Sequence, residues 1–190
     1  MPVRQKYSFP KDFLWGASTS AHQVEGGLHN QWTVWELENA KALTTQAPYQ
    51  FGDLISWEKM KHEARTPSNY VSGKAVEHYR FYREDIALMR KLHMNAYRFS
   101  IEWSSIQPNE GVWNVEEVEH YRQVLLELRR QGIEPVVTLF HFTLPVWFAK
   151  MGGFEKRRNI RYFVEFCDRL MLEFGDLVTY IVTINEPDVY

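Results

Sequence analysis

The chain has 190 residues, 45% of them hydrophobic and 15% aromatic, and a formal charge of -2. That length can build a sizeable core in one domain or two, while the charge argues against a general nucleic-acid surface, which needs a basic excess. No stretch approaches the roughly 18 uninterrupted apolar residues of a membrane span. The N-terminus lacks an apolar h-region and the one cysteine, Cys167, cannot close an internal disulfide, so a cytoplasmic, single-domain soluble protein is the simplest expectation.

In chain order, Phe13-Leu14-Trp15-Gly16-Ala17-Ser18 reads as a strand that ends in small residues and then presents His22, Gln23 and Glu25. From Gly27 to Ser72 the pattern is irregular and long for a loop, and Trp32, Trp35 and Trp57 favour an ordered insertion over a floppy linker. Val76, Tyr79, Tyr82, Ile86, Met89 and Leu92 then repeat at helical spacing. The segment Asn95–Trp103 alternates as a strand does but places Arg98 in its middle, and a charge there needs a partner, for which a carboxylate is expected.

Asn114 with Glu117 three residues on has the form of a capping box, opening a helix through Val118, Tyr121, Leu125 and Leu128 that stops at Gly132. A third strand, Pro135–Phe140, carries His141 just past its end. Asn159 is placed to cap a helix holding Phe163, Phe166, Leu170 and Phe174. Cys167 lies among these apolar residues and reads as packing rather than as a nucleophile. Val178–Ile184 is β-branched and aromatic, the composition of a buried strand. It stops at Asn185-Glu186-Pro187, because Pro187 has no N–H to continue a ladder.

The alternation of strand and helix predicts parallel strands joined by helical crossovers, which a doubly wound sheet and a (β/α)8 barrel both satisfy. Neither GxGxxG nor GxxxxGK[ST] follows the first strand, as a doubly wound nucleotide fold would require. Gln23, Arg98, His141, Asn185 and Glu186 all lie in or just after strands, as in a barrel whose strand ends converge on one site. Strands two to four start roughly forty residues apart, so eight of them need well over 300 residues. The predicted fold is therefore the N-terminal half of a (β/α)8 TIM barrel, strands one to four, with a long insertion after strand one and incomplete without a C-terminal half. The seven histidines show no HExxH or paired Cys/His spacing, and no metal or cofactor is expected.

Four stretches, in order along nearly the whole chain, carry a resemblance: Phe9–Gly26 (FPKDFLWGASTSAHQVEG), Tyr97–Trp103 (YRFSIEW), His141–Pro145 (HFTLP) and Thr183–Pro187 (TINEP). Together they resemble glycoside hydrolase family 1, the β-glucosidases and related β-glycosidases. The resemblance implies a retaining glycosidase in which Glu186 is the general acid/base, Asn185 bonds the sugar 2-hydroxyl, Gln23 and His141 hold glycone hydroxyls, and Arg98 pairs with the nucleophile. Glu186 would have to start the cycle protonated, its pKa raised by burial or a neighbouring charge.

In that family the nucleophile is a second Glu on strand seven in a TENG-type motif, and the sequence contains no such segment. Glu102 is at best a supporting carboxylate. Where many members have His-Trp-Asp, this chain has His141-Phe142-Thr143, which keeps an aromatic face and drops a carboxylate. The expected function is thus the acid/base half of a β-glycosidase acting on a β-linked sugar. It would be inactive alone and complemented by a C-terminal half-barrel. The alternative is a non-catalytic half-barrel scaffold or sugar-binding module that forms a homo-oligomer.

Overall fold

The computed structural model describes residues 7–189. Strand β1 (Gly16–Ser18) leads into the one-turn helix α1 (Ala21–Val24), and the insertion that follows is largely helical: α2 (Gln31–Phe51), α3 (Trp57–Ala64) and a 3-10 turn at Pro67–Tyr70. Helix α4 (His78–Lys91) precedes β2 (Ala96–Ser100), the short α5 (Trp103–Ile106) and α6 (Val115–Arg130) precede β3 (Glu134–Phe140), and α7 (Val146–Lys150) and α8 (Ile160–Phe174) precede β4 (Tyr180–Ile184). The four strands lie side by side in the order β1-β2-β3-β4. All three pairings are parallel, with Ser18 opposite Arg98, Arg98 opposite Val136, and Val136 opposite Tyr180. Parallel register puts every carboxyl end at the same rim of the sheet.

Strand β1 is shorter than predicted because only Gly16–Ser18 pair as a strand. Gly16 is required there, since a Cβ on it would sit 2.0 Å from the Ala96 carbonyl oxygen across the pair. The insertion is ordered, as its tryptophans suggest, but its helices are not apparent from the sequence. Helix α2 buries only Thr33, Ala40 and Ala47 along twenty-one residues, so it has no apolar stripe to read, and Pro48 interrupts its last turn. Its start is set locally: Asn30 Oδ1 accepts the Thr33 N–H at 3.0 Å and Thr33 Oγ1 accepts the Asn30 N–H at 2.9 Å, a reciprocal cap.

The two predicted caps are only partly realised. Asn114 accepts the N–H groups of Glu116 and Glu117, but the Glu117 carboxylate turns away to accept the Tyr79 hydroxyl at 3.0 Å. Asn159 precedes α8 as expected, yet its amide donates backward to the Gly153 carbonyl at 2.9 Å and braces the preceding turn instead of capping the helix.

The core lies between the sheet and the crossover helices, with Trp103 at its centre, stacked on Phe166 at 5.0 Å and tilted against Phe148 at 4.7 Å. From α6 it receives Val118, Tyr121, Val124, Leu125 and Leu128, and from α8 Tyr162, Phe166, Leu170 and Phe174. Cys167 is half-buried on α8, with its thiol pushed up to about 11 chiefly by burial, the opposite of an activated nucleophile. The reading of β4 as a buried strand needs correction: Tyr180, Ile181 and Ile184 remain substantially exposed, since β4 pairs with β3 on one side and lies at the edge of the sheet. Among the described residues no helix is long and apolar enough to cross a membrane.

Candidate active site

The carboxyl rim of the sheet gathers the polar residues that interrupt its apolar strands. Arg98, mid-way along β2, directs its guanidinium across β3 toward the end of β4. Its Nε donates to Thr138 Oγ1 at 2.9 Å and its Nη2 to Asn185 Oδ1 at 2.5 Å. The carboxylate expected to neutralise Arg98 is not what it bonds: a hydroxyl and an amide oxygen, both neutral, hold it instead. These bonds fix direction without cancelling charge, so the positive field of Arg98 stays available to a ligand or a further carboxylate.

Asn185 is buried just past β4, its N–H donating to the Phe140 carbonyl at 2.9 Å so that the ladder to β3 extends one residue beyond the strand. The next residue, Glu186, has φ +43 and is exposed. A non-glycine residue in that left-handed region is strained, and such residues cluster at functional sites. The turn lifts the Glu186 side chain out of the sheet, and its carbonyl accepts the Val189 N–H at 2.9 Å.

His141, just past β3, is half-buried. Its imidazole is held below the usual histidine range first by burial and then by the positive charge of Arg98, with Glu186 acting in the opposite sense. His141 directly follows Phe140, whose carbonyl accepts the Asn185 N–H, so the end of β3 stands beside Asn185-Glu186. The His141 Nδ1 is buried with no hydrogen-bond partner among the described residues. Arg98, His141, Asn185 and Glu186 thus share one corner of the rim. Gln23 lies on α1 just past the carboxyl end of β1; it is exposed, and its Oε1 accepts the Ser20 N–H at 3.2 Å within its own turn.

Glu102, just past β2, is closed off from solvent and accepts hydrogen bonds from Ser104 Oγ at 2.7 Å and Thr143 Oγ1 at 2.8 Å. Burial raises its pKa against the pull of those bonds. Thr143, where the family resemblance expects a carboxylate, therefore serves as a donor to one. A neighbouring carboxyl, Glu25, accepts the bifurcated Tyr121 hydroxyl at 2.8 and 2.9 Å, and Tyr121 Oη in turn accepts the Glu102 N–H at 3.0 Å. This buried chain ties the end of α1 to α6 and to the end of β2. In the sequence Glu25 lies two residues from Gln23 and Tyr121 on an apolar helix face, and a phenol on a core-facing stripe gives no signal of its partner.

The insertion also reaches this rim. His22 on α1 bonds Glu36 of α2 at 2.8 Å, and Glu36 in turn accepts the N–H and hydroxyl of Ser72 at 2.8 Å each. No group of three or more His, Cys, Asp or Glu side chains among the described residues is arranged to hold a metal ion.

Four parallel strands in chain order, with helical crossovers and polar residues collected at their carboxyl ends, define the N-terminal half of a (β/α)8 barrel. The sequence model of glycosyl hydrolase family 1 matches residues 5–190, and the chain belongs to that family. Beta-glucosidase A of Acetivibrio thermocellus is 34% identical over 189 residues, which are 97% of this chain and 37% of the relative. An aryl-phospho-beta-D-glucosidase of Bacillus subtilis is 35% identical, covering 95% of this chain and 35% of its own length. The solved structure of a beta-glycosidase from Pyrococcus horikoshii superposes with a TM-score of 0.77 at 37% identity, over 96% of this chain and 37% of that one. The chain spans a little over a third of the length of these relatives.

Proposed function

We propose that this chain carries the acid/base half of a retaining β-glycosidase that hydrolyses β-glucoside-type O-glycosidic bonds, with Glu186 as general acid and then general base. The observation that carries the reading is the convergence of Arg98, His141, Asn185 and Glu186 from three successive strands on one corner of the rim. Exposed Glu186 is free to meet a glycosidic oxygen. Asn185, locked by Arg98, presents its amide nitrogen to a sugar hydroxyl, and His141 and Gln23 supply further polar contacts to the glycone.

In this scheme Glu186 gives its proton to the leaving oxygen while a second carboxylate, from strands five to eight of the complete barrel, bonds to the anomeric carbon as the bond to the aglycone breaks. The two carboxyl groups then stand about 5–5.5 Å apart. Glu186, now a carboxylate, takes a proton from water as that water attacks the same carbon and releases the nucleophile. Arg98 faces the nucleophile with a charge that no carboxylate among the described residues pairs with, which favours the ionised form a nucleophile needs. This chain alone, without the second carboxylate, binds sugar weakly and does not turn over.

Glu186→Gln tests the role by leaving group. In the chain rejoined to strands five to eight, the variant should lose about 10²–10⁴-fold on substrates with poor leaving groups, the usual worth of acid–base catalysis. Glycosyl transfer from an activated aryl substrate, whose leaving group departs unprotonated, should fall much less. An equal loss on both would rule out the acid role.

A further inference from the structure

The segment after β3 turns sharply, and the insertion grips that turn. Phe142, next to His141, sits at φ +73, which a residue with a β-carbon rarely adopts. Such a conformation persists only where its surroundings over-determine it. The grip comes from Gln31, the first residue of α2. Its Nε2 donates to the Phe142 carbonyl at 3.1 Å, its Oε1 accepts the Leu144 N–H, and its own N–H donates to the Leu144 carbonyl at 3.0 Å.

Trp32, the next residue, adds a packing contact: its ring stacks on Phe142 at 6.0 Å and 23° and meets His22 edge-on at 5.2 Å. Helix α2 needs none of these bonds to start, because Asn30 and Thr33 already cap it. On the other side of the turn Thr143 is held by Glu102.

We propose that Gln31 is a positioning residue for His141: its three hydrogen bonds hold Phe142 in the left-handed conformation that sets the direction of the His141 ring at the end of β3, beside Asn185. The inference rests on the reading of His141 as a sugar-binding residue. It gives the insertion after β1 a purpose in the site, since a helix that buries little of itself sets the geometry of a residue more than a hundred positions away in sequence.

Gln31→Met keeps the length and bulk of the side chain and removes its two side-chain hydrogen bonds, while the Thr143–Glu102 bond keeps the turn attached. Two-dimensional NMR on the full chain would follow the His141 ring titration and the exchange of the Leu144 amide. We expect Leu144 exchange to speed up about tenfold or more. The His141 midpoint should rise toward the ordinary histidine value, as burial and the influence of Arg98 both relax. The His120 ring, stacked on Tyr79 at 3.8 Å, should keep its signals.

Faster Leu144 exchange with an unmoved His141 midpoint would overturn the proposal, because Gln31 would then fasten the loop without placing the ring. Unchanged exchange, or a disturbance that spreads to His120, would overturn it as well. The readout is a titration and not hydrolysis, so a failure here leaves the assignment of Glu186 intact, and the measurement can be made whether or not that assignment holds.

Discussion

At Glu25 a carboxyl is closed off from water and receives a single shared hydroxyl proton from Tyr121. Burial, reinforced by the nearby Glu102 and Glu117 and opposed by the Tyr121 bond, pushes its pKa from the usual 4.5 to about 8. In the fold Glu25 keeps its proton to about pH 8, whereas unfolded it releases it near 4.5. Between those values the folded state binds the extra proton, so stability falls as pH rises; the contribution is fully present below 4.5 and gone above 8. His120 has the opposite sign, since burial lowers it to about 4, and its unfolded form finishes losing its proton only about a pH unit above 6.5. It therefore opposes the Glu25 slope up to that point, and does so equally in both proteins compared below.

Urea melts between pH 6.5 and 8 should therefore show a loss of up to about 1.4 kcal/mol per pH unit from Glu25. Glu25→Gln should flatten that slope, leaving the share of Glu102 and Glu117, whose pKa values burial also raises. Identical slopes for the two proteins would show that Glu25 titrates as an ordinary carboxyl. At this scale the sequence was informative where residues break a pattern: Arg98 inside a strand, His141 and Asn185-Glu186 after one. It was silent where the partner is neutral and distant. Arg98 was expected to meet a carboxylate because charge pairing is the general rule, and nothing local marks Thr138 and Asn185 as the groups that hold it.

Among the elements, those with a regular apolar period were legible and those without one were not. Helices α6 and α8 match the expected Leu125, Leu128, Phe166 and Leu170 stripes because each buries one face against the sheet. Leu125 is fully buried, so Leu125→Ala should cost about 2–5 kcal/mol of stability, measured by chemical denaturation. A loss under 1 kcal/mol would mean that the α6 face packs less tightly than its burial indicates. Helix α2 had no stripe to betray it, and its boundary is written in a short-range Asn30–Thr33 cap.

Strand β1 depends on backbone approach instead of side-chain packing. Gly16→Ala would press a methyl onto the Ala96 carbonyl. The expected result is local separation of β1 from β2, seen as faster exchange of the Ala96 amide, which donates to the Trp15 carbonyl at 3.1 Å, and a loss of about 1–3 kcal/mol. An unaltered exchange rate would show that the pair can open without cost.

For the whole molecule, the sheet has two outer strands, β1 and β4, and β4 offers Tyr180, Ile181 and Ile184 to solvent beside an open row of backbone groups. Surfaces of that kind associate. In the proposed function the associating body is a C-terminal half-barrel that brings strands five to eight and the nucleophile. A homo-oligomer of this chain would cover the same edge but supply only further copies of Glu186. The half-barrel order was legible from the alternation of elements and the spacing of strands, whereas the exposure of β4 was not, because an apolar composition reports what a strand is suited to bury and not what lies beside it.

The most direct test is hydrolysis of a chromogenic aryl β-glucoside by this chain alone, by this chain mixed with the C-terminal half of a related β-glycosidase, and by the same mixture carrying Glu186→Gln and shown to associate. The account predicts no turnover by the chain alone, turnover by the mixture, and loss of that steady-state turnover with the substitution, because water attack on the glycosyl-enzyme then lacks its general base even where the aryl group leaves unprotonated. Turnover by the chain alone, or a mixture whose activity survives Glu186→Gln, would contradict it.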